Sequence, residues 1–266
     1  MSVTILIPAR YASTRYPGKP LAELRGADGI AKSLIQRSWE AARKVRGADS
    51  VHVVTDDDRI ADAAAEFGAS VLMTSPECAN GTERCAEAVA AMTDRPDIVV
   101  NLQGDAPLTP PWFVDALIDA MQADPTRPVA TPVLRCDKYA LQGFLDDRAA
   151  GRVGGTTAVF AQDGRALYFS KEVIPYTGGR LTEDGICPVF HHVGVYAYRA
   201  QPLSQYAALP AGPLERWEGL EQLRFMENGI DVHCVEVDGR GAKFWELNNP
   251  EDVPRIETVL AEQGIA

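Results

Sequence analysis

Residues 7–21 read IPARYASTRYPGKPL, which puts Arg10, Arg15 and Lys19 within ten residues, interleaved with Ser13, Thr14, Pro17 and Gly18. Three cations among hydroxyls and backbone N–H groups can cradle a triphosphate. The plainer reading is a solvated loop with chance basic residues. A formal net charge of −11 over the whole chain weighs against it. The loop is not a Walker loop, because Gly18-Lys19 lacks the glycine five residues earlier and is followed by Pro20. No G-x-G-x-x-G fingerprint follows it either.

Two further segments carry chemistry. In Asn101-Leu102-Gln103-Gly104-Asp105-Ala106-Pro107, an Asp just beyond a buried strand can hold Mg²⁺ beside phosphates; Gly104 and Asp105 can equally make a simple turn. In Asn80-Gly81-Thr82-Glu83-Arg84, a glycine flanked by amide and hydroxyl groups lets the backbone approach a planar base. The same residues also read as a helix N-cap, with Thr82 as the cap.

These segments need a scaffold, and the first half of the chain predicts one. Short apolar runs at 3–8, 50–55, 70–74 and 97–102 read as strands. Helical patterns at 33–45, 58–67, 82–92 and 111–122 alternate with them. That alternation predicts an α/β fold, a doubly wound and mostly parallel sheet covered on both faces. In such a sheet the loop after the first strand borders the ligand crevice.

The pattern changes after residue 128. Strands are expected at 129–135, 158–160, 166–169 and 193–198, with loops at 145–155 and 177–187. This region reads as an inserted antiparallel β subdomain. Helix 214–226, strand 231–237 and helix 250–263 follow. The expected organisation is a core at 1–128, the insertion at 129–212 and a return to the core at 213–266, one structural domain overall.

Bulk properties exclude several classes. The length of 266 residues buries a core without metals or disulfides. The acidity argues against a nucleic-acid partner, which would call for a basic face. The five cysteines show no C-x-x-C spacing and read as reduced thiols. No charged leader precedes the first apolar segment, and no apolar run approaches the ~18 residues of a membrane span. A soluble cytoplasmic protein without a membrane partner is expected.

Residues 7–21, Thr55-Asp56-Asp57, Asn80 to Arg84, Asn101 to Pro107, 166–175 and 214–224 together resemble the 3-deoxy-manno-octulosonate (Kdo) cytidylyltransferase family. The resemblance implies a nucleotide-diphospho-sugar transferase-like sheet. It also implies CTP and an acidic sugar as substrates, Mg²⁺ as cofactor, a homodimer, and a place in lipopolysaccharide or capsule sugar activation. By resemblance Ala9, Arg10, Ser13, Arg15 and Lys19 surround the triphosphate, with Arg10, Lys19 and Asp105 as the catalytic set. Asn80, Gly81 and Thr82 read cytosine, and Gln103 sits between nucleotide and sugar. Lys171, His192 and Tyr196 grip the sugar, joined by Glu215, Glu218 and Gln222 from one face of the 214–226 helix. Asp105 and Asn248 take the metal.

The chain departs from the family pattern in four places. Ala106 stands where the family has Glu, and Asn248 where it has a metal-binding Asp, with Glu246 two residues earlier. Lys171 replaces an arginine and so loses a bidentate fork for carboxylate. Residues 24–34 are longer than the usual turn. Three of the four lie near the metal and the sugar, so another sugar acid or anionic acceptor stays open. Two other classes also stay open. A glycosyltransferase would release free nucleotide, and a nucleotide-binding regulator would release no pyrophosphate.

Overall fold

The computed structural model describes residues 1–12, 16–153, 155–178, 186–243 and 246–266. Its first strand, Val3–Ala9 (β1), is buried along its whole length. Alternate side chains of β1 feed two apolar layers, as a strand covered on both faces must. Val3, Ile5, Ile7 and Ala9 enter one layer and Leu6 the other.

A hairpin of Glu23–Arg25 (β2) and Ala31–Ser33 (β3) follows. Then come Leu34–Ala42 (α1), Ser50–Thr55 (β4), Asp58–Glu66 (α2), Ser70–Met73 (β5), Gly81–Ala91 (α3), Ile98–Leu102 (β6) and Pro111–Ala123 (α4). Three of these helices start on a side-chain cap. Ser33, Asp57 and Asn80 accept the N–H groups of Gln36, Arg59 and Glu83, each satisfying a donor the helix leaves open. The second half holds Val129–Arg135 (β7), Lys138–Ala149 (α5), Thr156–Phe160 (β8), Ala166–Ser170 (β9), Phe190–His192 (β10) and Val195–Arg199 (β11). It continues with Ala200–Tyr206 (α6), Pro213–Glu218 (α7), Gln222–Glu227 (α8), Val232–Val237 (β12) and Val253–Glu262 (α9).

Ten strands form one sheet in the order β5-β4-β1-β6-β11-β7-β10-β8-β9, with β12 also paired to β7. β5, β4, β1 and β6 run parallel. β11 joins β6 antiparallel, and β7, β10, β8 and β9 continue in antiparallel pairs. The strands of 129–212 therefore extend the same sheet as the core. Helices α1, α2 and α4 cover one face through Ile35, Ile60, Phe113 and Leu117. Helices α3, α6 and α8 cover the other through Val89, Leu203, Tyr206 and Phe225. Strand order reverses between β1 and β6, so their carboxyl ends open a crevice there. Among the described residues no helix is long and apolar enough to cross a membrane.

Four expectations are corrected, and the long segment 24–34 is defined. The cap of α3 is Asn80 and not Thr82. The loop expected at 145–155 begins inside helix α5, which runs to Ala149 and is capped by Asp137 accepting the Ala140 N–H at 2.7 Å. Only Leu141 of α5 is buried, so its apolar period is too weak to read. Helix α6 falls where no helix was expected. The long segment 24–34 is the β2–β3 hairpin, held by Arg37, which donates to the carbonyls of Leu24, Ile30 and Ala266. The single helix 214–226 is two helices, α7 and α8, broken at Gly219 in the left-handed region with φ +63. Glu215 and Glu218 thus do not share a continuous helical face with Gln222.

Candidate active site

The end of β6 passes close beside the end of β1, and Gly104 makes that passage possible. A Cβ on Gly104 would lie 2.7 Å from the Pro8 carbonyl oxygen, backbone against backbone. Ser38 on α1 fixes the Gly104 carbonyl by a 3.0 Å hydrogen bond. Gly81, at the start of α3, is similarly enclosed. A Cβ there would meet Gln103 Nε2 and Pro8 Cγ at 3.3 Å. Between these segments lies a cavity of about 450 Å³. Ala9, Arg10, Lys19, Asn80, Gly81, Gln103, Asp105, Tyr196 and Gln222 all line it. Residues distant in sequence and expected to share a site therefore meet in one place.

Lys19 and Asp105 face each other across the mouth, with Nζ to Oδ2 at 2.7 Å. Both are largely shielded, at 14% and 29% exposure, so their charges are worth more than on an open surface. Arg84 adds a third cation to the wall. It is buried, pairs with Asp56 at 3.3 Å and donates to Thr74 Oγ1 at 2.6 Å. Cations on this side and amides at Asn80 and Gln103 suit a phosphorylated, base-bearing ligand.

The opposite wall comes from the antiparallel half and α8. Tyr196 donates from its hydroxyl to Gln222 Oε1 at 2.9 Å. Gln222 is buried and its Nε2 has no partner, an orphan donor that a ligand in the cavity could satisfy. Glu221 was not foreseen, yet it is central here. Its carboxylate accepts the Thr82 N–H and the Gln103 side-chain amide, both at 3.3 Å. Burial pushes the Glu221 carboxyl above its ordinary range, only partly offset by the bond from Thr82. Gly219 was the sequence signal: a break there brings Glu221, not Glu218, beside Gln222.

Other expected residues lie around the cavity and do not line it. Thr82 is buried, with its hydroxyl 2.9 Å from that of Tyr198. His192 lies behind Tyr196, with Nε2 2.9 Å from Thr131 Oγ1, and burial holds its pKa down at about 3. Lys171 Nζ is 3.0 Å from where a Cβ on Gly219 would be, just outside the wall. Glu215 forms a fork with Arg224, which also reaches Glu83. Glu218 accepts from Ser170 Oγ and the Lys171 N–H at 2.6 and 2.9 Å. Ser13 and Arg15 lie outside the described residues.

Asn248 belongs to a segment tied to the metal candidate, since the Leu247 N–H donates to the Asp105 carbonyl at 2.9 Å. Glu246 Oε1 lies 3.6 Å and Gln103 Cγ 4.0 Å from the Cβ position of Gly194. No cluster of three His, Cys, Asp or Glu residues able to hold a metal occurs among the described residues. One carboxylate at a phosphate site nevertheless fits Mg²⁺, which keeps water and phosphate oxygens as most of its ligands.

Known proteins match the chain in sequence and in fold. A family model described as cytidylyltransferase matches residues 4–232. The chain is 44% identical to 3-deoxy-manno-octulosonate cytidylyltransferase of Maricaulis maris, over 99% of both chains. It is 41% identical to 8-amino-3,8-dideoxy-manno-octulosonate cytidylyltransferase of Shewanella frigidimarina, over 98% of this chain and 99% of that one. The solved structure of CMP:2-keto-3-deoxy-manno-octonic acid synthetase complexed with CTP superposes with a TM-score of 0.83 at 34% identity, covering 99% of this chain and 100% of that one. Sheet order, the cavity at the β1–β6 reversal and these matches along nearly the whole chain lead to one assignment: the chain belongs to the cytidylyltransferase family.

Proposed function

We propose that this chain transfers CMP from CTP to the anomeric C2 hydroxyl of Kdo and releases pyrophosphate. The observation that carries the reading is a single cavity with cations and amides on one wall and Tyr196, Glu221 and Gln222 on the other. The hydroxyl oxygen forms a bond to the α-phosphorus, the bond from that phosphorus to the bridging oxygen breaks, pyrophosphate leaves with that bonding pair, and the hydroxyl proton passes to solvent. Arg10 and Lys19, with Ser13 and Arg15, hold the triphosphate and offset charge on the departing pyrophosphate. Asn80 and Gly81 receive the base, with Thr82 supporting them from beneath. Gln103 spans the two substrates. Tyr196, Glu221 and Gln222 orient the sugar acid, with Lys171 and His192 behind them, so that the reacting atoms are aligned.

Asp105 would hold Mg²⁺, with Asn248 or Glu246 as a second oxygen ligand. When bound, Mg²⁺ neutralises phosphate charge and lowers the pKa of the attacking hydroxyl. The reading includes a cytoplasmic enzyme, where CTP is available, serving lipopolysaccharide or capsule sugar activation. It also includes a homodimer. Leu167, Tyr176, Leu214 and Trp217 are exposed apolar side chains from β9, its following segment and α7, and a second copy could cover them.

The 8-amino-3,8-dideoxy analogue is the alternative acceptor. The Shewanella relative supports it, and a part-buried carboxylate at Glu221 could pair with an ammonium as readily as with a hydroxyl. Pyrophosphate release from CTP and Mg²⁺ with a panel of sugar acids tests both readings. Kdo is expected to give the highest kcat/KM. No release with any sugar acid would overturn the proposal, and a preference for the amino sugar would select the alternative.

A further inference from the structure

Arg10 and Lys19 each sit one residue outside a pinched neck in the phosphate loop. The Gly18 N–H donates to the Tyr11 carbonyl at 2.9 Å and closes the neck between them. The Tyr11 ring occupies the space beside the Gly18 α-carbon. A Cβ there would meet Tyr11 Cζ and the hydroxyl oxygen at 3.1 Å. Gly18 also holds φ +71, where a side chain is strained. The guanidinium of Arg59 lies over the same ring, 3.3 Å from its centroid. Asp57 grips Arg59 with two bonds, of 2.9 and 2.7 Å, while its side chain also caps α2. Contacts therefore run without a gap from the start of α2, through Arg59 and Tyr11, to the neck. Neither Tyr11 nor Arg59 lines the cavity.

We propose that Tyr11 and Arg59 are positioning residues, the stacked pair fixing the neck and with it the separation of Arg10 and Lys19 that the triphosphate meets. The inference rests on the CTP reading above. The Asp57 fork holds the Arg59 guanidinium over the ring, so stacking costs that side chain little further freedom. A loop fixed before binding loses less freedom when the nucleotide arrives.

Calorimetric CTP binding to the full chain, together with steady-state kinetics, tests the proposal. Arg59→Met and Tyr11→Leu should each raise the CTP Kd about two- to fivefold. Combining them should raise it little further, because both break one unit. Arg59→Lys keeps the charge but loses the Asp57 fork, so it should recover only part of the affinity, and kcat at saturating CTP should stay within about twofold. Arg240→Met, which removes a cation from over Trp112 away from the cavity, should leave CTP binding unchanged. Arg59 is 59% exposed, so its variants keep the fold and the test does not hang on Tyr11 alone. Unchanged affinity in Arg59→Met, or fully additive losses in the double variant, would overturn the positioning role. A wild-type chain that bound no CTP would instead sink the functional reading beneath it.

Discussion

The two walls of the cavity are built by different means. On the parallel half, between β1, α3 and β6, the shape is set by backbone passing close to backbone. At Gly104 a side chain would collide with the Pro8 carbonyl, and at Gly81 one would press tightly on the Pro8 and Gln103 side chains. On the antiparallel half the wall is made of side chains: Tyr196 from β11, and Glu221 and Gln222 at the start of α8. Glu218 ties α7 to the end of β9, and the break at Gly219 turns Glu221 inward. A backbone-built wall tolerates little substitution and suits a constant ligand, the nucleotide. A side-chain wall can be re-specified one residue at a time, as acceptor choice requires. Relatives of this chain carry two acceptor names, Kdo and its 8-amino analogue, at similar identity.

Asp105 lines the cavity just beyond β6, and the largest expected effect is there. Asp105→Ala should lower kcat by about 10²–10³-fold through loss of the metal ligand. CTP binding without metal should hold or tighten, because Lys19 is freed from its 2.7 Å pair. Calorimetry with and without Mg²⁺ separates the two effects, and full turnover in the variant would remove Asp105 from the site.

A smaller effect contrasts the halves through glycine alone. Gly104→Ala should destabilise the protein by about 1–3 kcal/mol, since its Cβ meets a carbonyl oxygen that has nowhere to go. Gly143, inside α5 of the other half, has nothing within 4 Å of a would-be Cβ. Gly143→Ala should stabilise by about 0.5–1 kcal/mol through helix propensity. Urea unfolding of both variants checks the pair. Equal effects would mean that the parallel half is not backbone-limited.

The same difference explains what the sequence made legible. Strands at 50–55 and 129–135 coincide with β4 and β7, because strands with buried stretches are rich in β-branched apolar residues such as Val. Arg10, Lys19, Gly81 and Asp105, which line the cavity, stood out in the sequence because loop chemistry at strand ends is local. Glu221 was missed because its position depends on Gly219 adopting φ +63, a choice stabilised by packing remote in sequence. His192 carries a reactive side chain, but burial beside Phe169 and Tyr196 keeps it in the core, and sequence does not reveal depth. Helix α5 escaped notice because an exposed helix leaves almost no apolar period.

The division of labour is tested most directly by Glu221→Gln, which keeps the shape and removes the charge. Initial rates measured against both substrates should show the acceptor KM raised about tenfold. The CTP KM and the melting temperature should hardly move. A rise in the CTP KM with the acceptor KM unchanged would contradict the account, because Glu221 would then belong to the nucleotide wall.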